Sequence, residues 1–401
     1  MTNTRRGMMA AAGSGSFDPQ NTSFPDSYVF TWGGNTSGPQ MQNDTTARCS
    51  PVLTGGKKYR SFHHASYIWD GTSHSGGIDL DEKLFMCGEN RSGQLGNGNT
   101  TDYSSPVQVG SLTTWASLAT GGDTSAGVTQ ATKTDGTIWS WGEGALGRLG
   151  DGTTVDKSSP VQIGSLTDWS DGIQSYENNA RVSIGNRNSL IIKSDGTMWS
   201  WGNFYKGAGG DGTTVDKSSP VQIGSTKIWV TCKAGTGCCI AIDSDGKLYT
   251  WGRGSNYATG QGSETDTCVP TQVGSASNWA WASLLGSSGA AINTDGKLYV
   301  WGSNFDGQLG LGDSGGGTNR SEPTQVGSLT DWKYIEVTII QMMAVKTDGT
   351  FWSWGSGHVN EGNPRNNSTP ESSPVQVGSR TDWLAPVRTT GSPMGAWNSA
   401  T

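Results

Sequence analysis

The chain has 401 residues, a formal net charge of −7 and only 15% charged residues, against about 25% in an average soluble domain. Its basic pairs are Arg5-Arg6 and Lys57-Lys58 and nothing longer, which argues against nucleic acid or an anionic membrane as the main partner, because both need a basic patch. No apolar stretch is long enough to cross a bilayer as a helix.

The chain begins with MTNTRRGMMAAAGSGSFDPQNTSFP, a small, polar and glycine-rich segment of the kind that stays unstructured unless something holds it. Arg5-Arg6 is followed by MMAAAG, an apolar run shorter than the roughly 7–15 residues of a signal-peptide core. Residues 1–27 therefore read as an extended arm, with Arg5, Arg6, Met8, Met9 and Phe17 available to anchor it.

From Tyr28 onward the chain repeats itself. Seven copies carry an aromatic-glycine marker: Trp32-Gly33, Cys87-Gly88 (Cys for Trp), Trp141-Gly142, Trp201-Gly202, Trp251-Gly252, Trp301-Gly302 and Trp354-Gly355. About twenty residues after each comes a Pro-x-x-x-Gly segment, as in Pro160–Gly164 and Pro220–Gly224. A period of 50 to 60 residues suits one small sheet, and radial repetition of such sheets is a β-propeller. The block GDGTTVDKSSPVQIGS stands unchanged at 150–165 and 210–225 and reads as loop and return strand of adjacent units.

Before five markers stand KTDGTIWSWG, KSDGTMWSWG, DSDGKLYTWG, NTDGKLYVWG and KTDGTFWSWG. Asp-Gly between strand-like runs predicts a hairpin with a two-residue type I′ turn. The first marker, SYVFTWG, lacks its hairpin, while Trp383–Thr401 supplies strands without a marker. A seam between Tyr28–Trp32 and Trp383–Trp397 completes both and leaves no exposed sheet edge. The prediction is an all-β, seven-bladed β-propeller over 28–397, closed by N- and C-terminal strands, with 398–401 as a tail.

GENRSGQLGNG (88–98) and WGSNFDGQLGLG (301–312) resemble RCC1-type repeats, and the resemblance covers roughly Tyr28 to Trp397. It implies a seven-bladed ring. Such repeats often carry a His after the first strand's glycine; the corresponding positions read His74, Thr124, Asn188, Cys238, Gly289, Gln341 and Met394, so one copy keeps it. The resemblance also implies regulatory protein binding through one face, as in exchange factors for a small GTPase or inhibitors of β-lactamase. The arm, more briefly, resembles basic-then-alanine leaders of tailed-bacteriophage structural proteins.

Chemistry is sparse. His63, His64, His74 and His358 lack metal-ligand spacing, and His63-His64 is expected on a solvent-facing turn. Asp151, Asp156, Asp211 and Asp216 lack the order of a calcium loop and are expected to cap turns. Cys49, Cys87, Cys232, Cys238, Cys239 and Cys268 form no zinc pattern. They read as free thiols, with Cys232 and Cys239 the one pair whose strands could bring them together. No catalytic, metal or cofactor site is assigned.

Most of the eighteen tryptophans fall at repeat positions and are assigned to packing. Tyr67, Trp69, Phe204, Tyr205, Tyr257, Trp281 and Phe305 break the pattern and are the candidate partner contacts. Loops 170–184, 312–322 and 356–373 are candidates for the same role. The functional expectation is a non-enzymatic virion component, decorating a capsid or associated with a tail or fibre. It would bind other virion proteins through 1–27, self-associate in the assembly, and face a host protein or glycan. It would reside in the extracellular particle, or otherwise in the producing cell's cytoplasm. The alternatives are the regulatory or inhibitory module and a secreted glycan-binding adhesin.

Overall fold

The computed structural model describes residues 27–33, 41–43, 45, 48–66, 73–122, 127–169, 181–356, 370–387 and 394–398. Blade two shows the unit. Its inner strand Trp115–Gly122 is followed by Gly127–Lys133, Ile138–Gly142 and the outer strand Lys157–Gln162, each antiparallel to the last. The same four-stranded order recurs in blades three (182–223), four (229–272), five (279–325) and six (332–376).

One sheet has seven strands, because a single long strand, Arg48–Ser66, serves two blades. Its early residues pair with the first marker strand, Leu53 opposite Phe30. Its later residues pair with Ser73–Asp79, as in Phe62 opposite Gly77. Blade seven is then Trp383–Pro386, Met394–Asn398, Ser27–Gly33 and the start of Arg48–Ser66. Val29 lies opposite Trp397 and Thr31 opposite Gly395. The N- and C-terminal strands thus meet in one sheet where the sequence places the seam, and the inner strands of blades one to six each pack against that of the next blade.

The repeat's spacing has a physical cause at the joints between blades. Trp141 is buried and its indole N–H donates to the Gln94 carbonyl of the preceding blade at 2.9 Å. Trp201 reaches Arg148 O at 3.1 Å, Trp251 reaches Ala208 O at 3.0 Å and Trp301 reaches Ala258 O at 3.1 Å. The glycine two residues beyond each acceptor makes room. Gly150 has φ +74°, and a Cβ there would lie 2.7 Å from the Trp201 indole nitrogen. The duplicated block joins the same way, since Gly152 N of its first copy donates to Ser218 O of its second at 2.7 Å.

Several sequence expectations are corrected in detail. The Asp-Gly hairpins are not type I′. Gly136 N bonds Lys133 O at 3.0 Å and Lys133 N bonds Thr137 O at 2.9 Å, so three residues lie within the loop. Only the glycine is left-handed, at φ +83°, as in a type I turn followed by a bulge. Asp135 Oδ1 accepts from the Thr137 amide and hydroxyl, a local bond that favours this longer turn. At the family's histidine position, Val128 lies opposite Gly142 and Ser288 opposite Gly302. Gly289 is therefore one residue out of register, and Thr124 lies outside the described residues. Cys232 pairs with Ala241 and Cys239 with Ala234, two positions apart on neighbouring strands, and both are free thiols. Ile184 belongs to the inner strand Val182–Ile184 rather than to a loop.

Candidate interaction surfaces

Strands alternate in direction, so the loops after the first and third strands share one face. The Asp-Gly hairpins and the crossings to the next blade share the other. On the first face, the third-to-fourth-strand loops of blades two to four contain a 3₁₀ turn whose last two residues are left-handed: Leu146-Gly147, Lys206-Gly207 and Asn256-Tyr257. Asp156, Asp216 and Asp266 anchor these loops by accepting the amides of Gly144, Phe204 and Gly254. Asp151 and Asp211 each accept from the amide and hydroxyl of a threonine two residues on. All four predicted aspartates of the duplicated block cap turns.

This loop face presents Tyr205, 58% exposed, and Phe305, 68% exposed. They stand at the same repeat position in blades three and five, where blade two has Ala145 and blade four Ser255. Tyr257 is half-buried nearby in the chain of blade four. Two other candidates are structural. Phe204 is fully buried, and a Cβ on Gly209 would lie 2.1 Å from its ring. It fills the place where Asn90 and Asn304 tie the equivalent loops with hydrogen bonds. Trp281 is also buried, donates to Ile335 O at 2.9 Å and packs edge-on against Tyr334 between blades five and six. Tyr67, Trp69, Arg5, Arg6, Met8, Met9 and Phe17 lie outside the described residues, as do 170–180 and 357–369 of the candidate loops.

The inner strands carry a polar ring that sequence reasoning missed. His63, Ala119, Ser183, Lys233, Ser283 and Glu336 occupy one repeat position. The Lys233 ammonium bonds Ser283 Oγ at 2.9 Å and is ion-paired with Glu336, whose other oxygen accepts from Ser283 at 3.2 Å. A network across three blades cannot be seen in a sequence without the register. His63 and His64 do not face solvent. Both are buried in Arg48–Ser66, His63 Nδ1 lies 2.8 Å from Thr120 Oγ1, and His64 contacts Ser75 Oγ. His74 is buried too, with Nε2 3.1 Å from Thr129 Oγ1. Burial pushes its pKa down to about 4, opposed by a hydrogen bond with the Val128 backbone. Burial likewise pushes the Cys87 and Cys238 thiols up to about 12, so neither is a ready nucleophile. Among the described residues, no group of three or more His, Cys, Asp or Glu is placed to hold a metal.

On the hairpin face, aromatic pairs bracket a cation. The Lys133 ammonium sits 3.6 Å from the Trp139 ring centre and 5.1 Å from that of Trp115. Burial between the rings holds its pKa below the ordinary lysine value. Lys193 lies 4.5 Å from Trp169 and 4.6 Å from Trp199, and Lys346 lies 4.8 Å from Trp332 and 4.3 Å from Trp352. Arg380 lies over both Phe30 and Trp383 in blade seven, and in blade four Lys227 lies over Tyr249 of the pair.

The family model described as the regulator of chromosome condensation (RCC1) repeat matches residues 81–128, 135–190, 245–284 and 295–339, and a second model of that repeat matches 180–208. Together they cover just over half of the chain. The protein belongs to the RCC1-repeat family. It is 29% identical over 202 residues to the ultraviolet-B receptor UVR8 of Arabidopsis thaliana, an alignment covering 49% of this chain and 42% of that protein. It is 31% identical over 161 residues to the human E3 ubiquitin-protein ligase HERC2, covering 39% of this chain and 3% of that protein. The alignments thus span less than half the length of these relatives. Among solved structures, human WBSCR16 superposes with a TM-score of 0.75 at 18% identity, covering 93% of this chain and 99% of that one. Yeast RCC1 (Prp20), in its complex with Kap60, gives 0.74 at 16% identity over 100% and 97%. These are likenesses of fold.

Two outcomes follow from the polar ring and its neighbours. Lys233→Met should destabilise the protein by about 3–5 kcal/mol, because Glu336 is left buried without its cation, and Lys233→Met with Glu336→Met should recover most of that loss. Denaturant unfolding of the two variants measures this; an additive double variant would contradict it. The second outcome concerns pH. His74 is folded in its neutral form, so its contribution is complete above its unfolded pKa of 6.5 and lost as pH falls toward about 4. Between pH 7 and pH 4 the native protein should lose about 3 kcal/mol more than His74→Gln does. Parallel stability curves for the two proteins would contradict it.

Proposed function

We propose that this protein is a non-enzymatic, RCC1-type protein-binding module that engages its partner through the loop face, with Tyr205 and Phe305 as anchors. The observation that carries this reading is their exposure at one repeat position of two blades, on loops tied at the preceding residue's amide, Phe204 to Asp216 and Asn304 to Asn319. Large aromatic side chains held on rigid loops add contact area at little entropic cost. Family membership supports protein binding in general: among solved structures of this fold, Prp20p of Saccharomyces cerevisiae has binding properties to Gsp1p and histones, and yeast RCC1 is seen bound to Kap60. The net charge of −7 favours a basic partner surface over an acidic one.

The regulatory or inhibitory reading is therefore preferred to virion display. Display on a particle, and location there, depend on an arm of which 1–26 lie outside the described residues. The test is affinity capture from lysate of the source cells, comparing native protein with a Tyr205→Ala, Phe305→Ala double variant. Partner binding should weaken by at least about tenfold per side chain, the effect of losing roughly 1.4 kcal/mol each. A control variant, Leu329→Ala, alters an exposed side chain on the opposite face, in the crossing into blade six, and should bind normally. Equal capture by all three would overturn the reading.

A further inference from the structure

Blade five breaks the hairpin-face pattern, and it does so at three positions together. Asn293 stands where blades two, three and six have Lys133, Lys193 and Lys346. Ala276 stands where they have Leu112, Leu166 and Leu329, and Asn278 where blades three and six have Asp168 and Asp331. Those aspartates pair with the bracketed lysines, Asp168 with Lys193 at 3.2 Å and Asp331 with Lys346 at 3.5 Å. The aromatic pair itself is kept. Trp279 and Tyr299 meet edge-to-face with centres 5.2 Å apart, like Trp229 and Tyr249 at 5.3 Å in blade four.

The missing side chains leave a cleft of about 520 Å³ beside this pair, lined by Trp279, Tyr299, Asn293, Ala276, Gln261 and Glu322 among others. Among the described residues, no Lys ammonium or Arg guanidinium lies over either ring, whereas one does in blades two, three, four, six and seven. Asn293 does not substitute for the cation. Its Oδ1 accepts the amides of Asp295 and Lys297, and its Nδ2 faces Asp295 at 3.3 Å. Lys297 occupies the position of Lys247, whose ammonium goes to Asp245 at 3.3 Å rather than to the rings.

We propose that the Trp279–Tyr299 cleft of blade five is a receptor for a lysine side chain supplied by a partner protein. The other blades show what such a ring pair holds, because there the chain itself provides the ammonium. Ring faces attract a cation and their edges confine its methylene stem. Glu322 on the cleft wall supplies complementary charge, Asp295 is hydrogen-bonded to the lining residue Asn293, and the protein as a whole is acidic. The lining of the cleft includes neither Tyr205 nor Phe305, so it is a second contact point, separate from them.

The test uses a small probe and so needs no identified partner. Saturation-transfer NMR of the full chain with n-butylammonium, against pentan-1-ol as the neutral analogue, reads occupancy of the cleft. Transfer to butylammonium should exceed that to pentanol in the native protein. It should fall to the pentanol level in Asn293→Lys, which places the chain's own ammonium between the rings, and also in Ala276→Leu, which restores the leucine of other blades. A lysine-containing peptide should compete with butylammonium, and the same peptide with norleucine for lysine should not. Equal transfer to the two probes, unchanged transfer in both folded variants, or competition by the norleucine peptide would overturn the proposal. Loss of loop-face capture leaves these results unaffected, so the two readings fail separately.

Discussion

The structure depends on one contact repeated around the ring: a buried indole on the third strand of one blade seated on a glycine of the blade before it. In Trp141, Trp201, Trp251 and Trp301 the indole also donates to that blade's carbonyl. Trp354 packs on Gly310 in the same way, without that hydrogen bond. Truncating a buried tryptophan usually costs about 3–5 kcal/mol. The hydrogen bond adds direction, fixing the angle at which each sheet meets the next. Blade one has Cys87 in this place, buried beneath blade seven's loop residue Met41, whose backbone hydrogen-bonds the thiol.

With the joints fixed by so few residues, the remaining positions of each repeat are free to differ, and the differences mark the surfaces that matter. Tyr205 and Phe305 replace small residues on loops whose ends are already tied. Blade five keeps its aromatic pair but lacks lysine, aspartate and leucine around it. Lys233, Ser283 and Glu336 turn an otherwise varied inner position into a bond across three blades. A buried ion pair of this kind adds little net stability and is costly to break.

Blade number, seam and strand order were legible because they rest on local signals: Asp-Gly turns, alternating aromatics and the unmatched half-units at the two ends. What failed depended on register or on tertiary neighbours. His63 and His64 follow Lys57-Lys58 and look like part of a polar turn, yet they lie on an inner strand with hydroxyl partners from Thr120 and Ser75. Phe204 breaks the repeat in sequence but is buried because Gly209 opens space for its ring. Trp281 sits one strand position from Trp279, and only the bulge between them, where Trp279 meets Asn293 and Trp281 meets Ile292, turns it into the joint with blade six. The loop aromatics were found by the same rule that misassigned these two, since departure from a repeat signals a changed environment without saying which.

Hydrogen exchange at the indole N–H groups tests the central claim most directly. The indoles of Trp141, Trp201, Trp251 and Trp301 bridge blades, so their exchange should require opening of the ring and approach the free energy of global unfolding. Those of Trp139 and Trp199, bonded to Thr137 and Thr197 within a hairpin, should exchange through local opening and much faster. If the bridging indoles exchanged as fast as the hairpin ones, the indole-on-glycine joint would not be what holds the ring together.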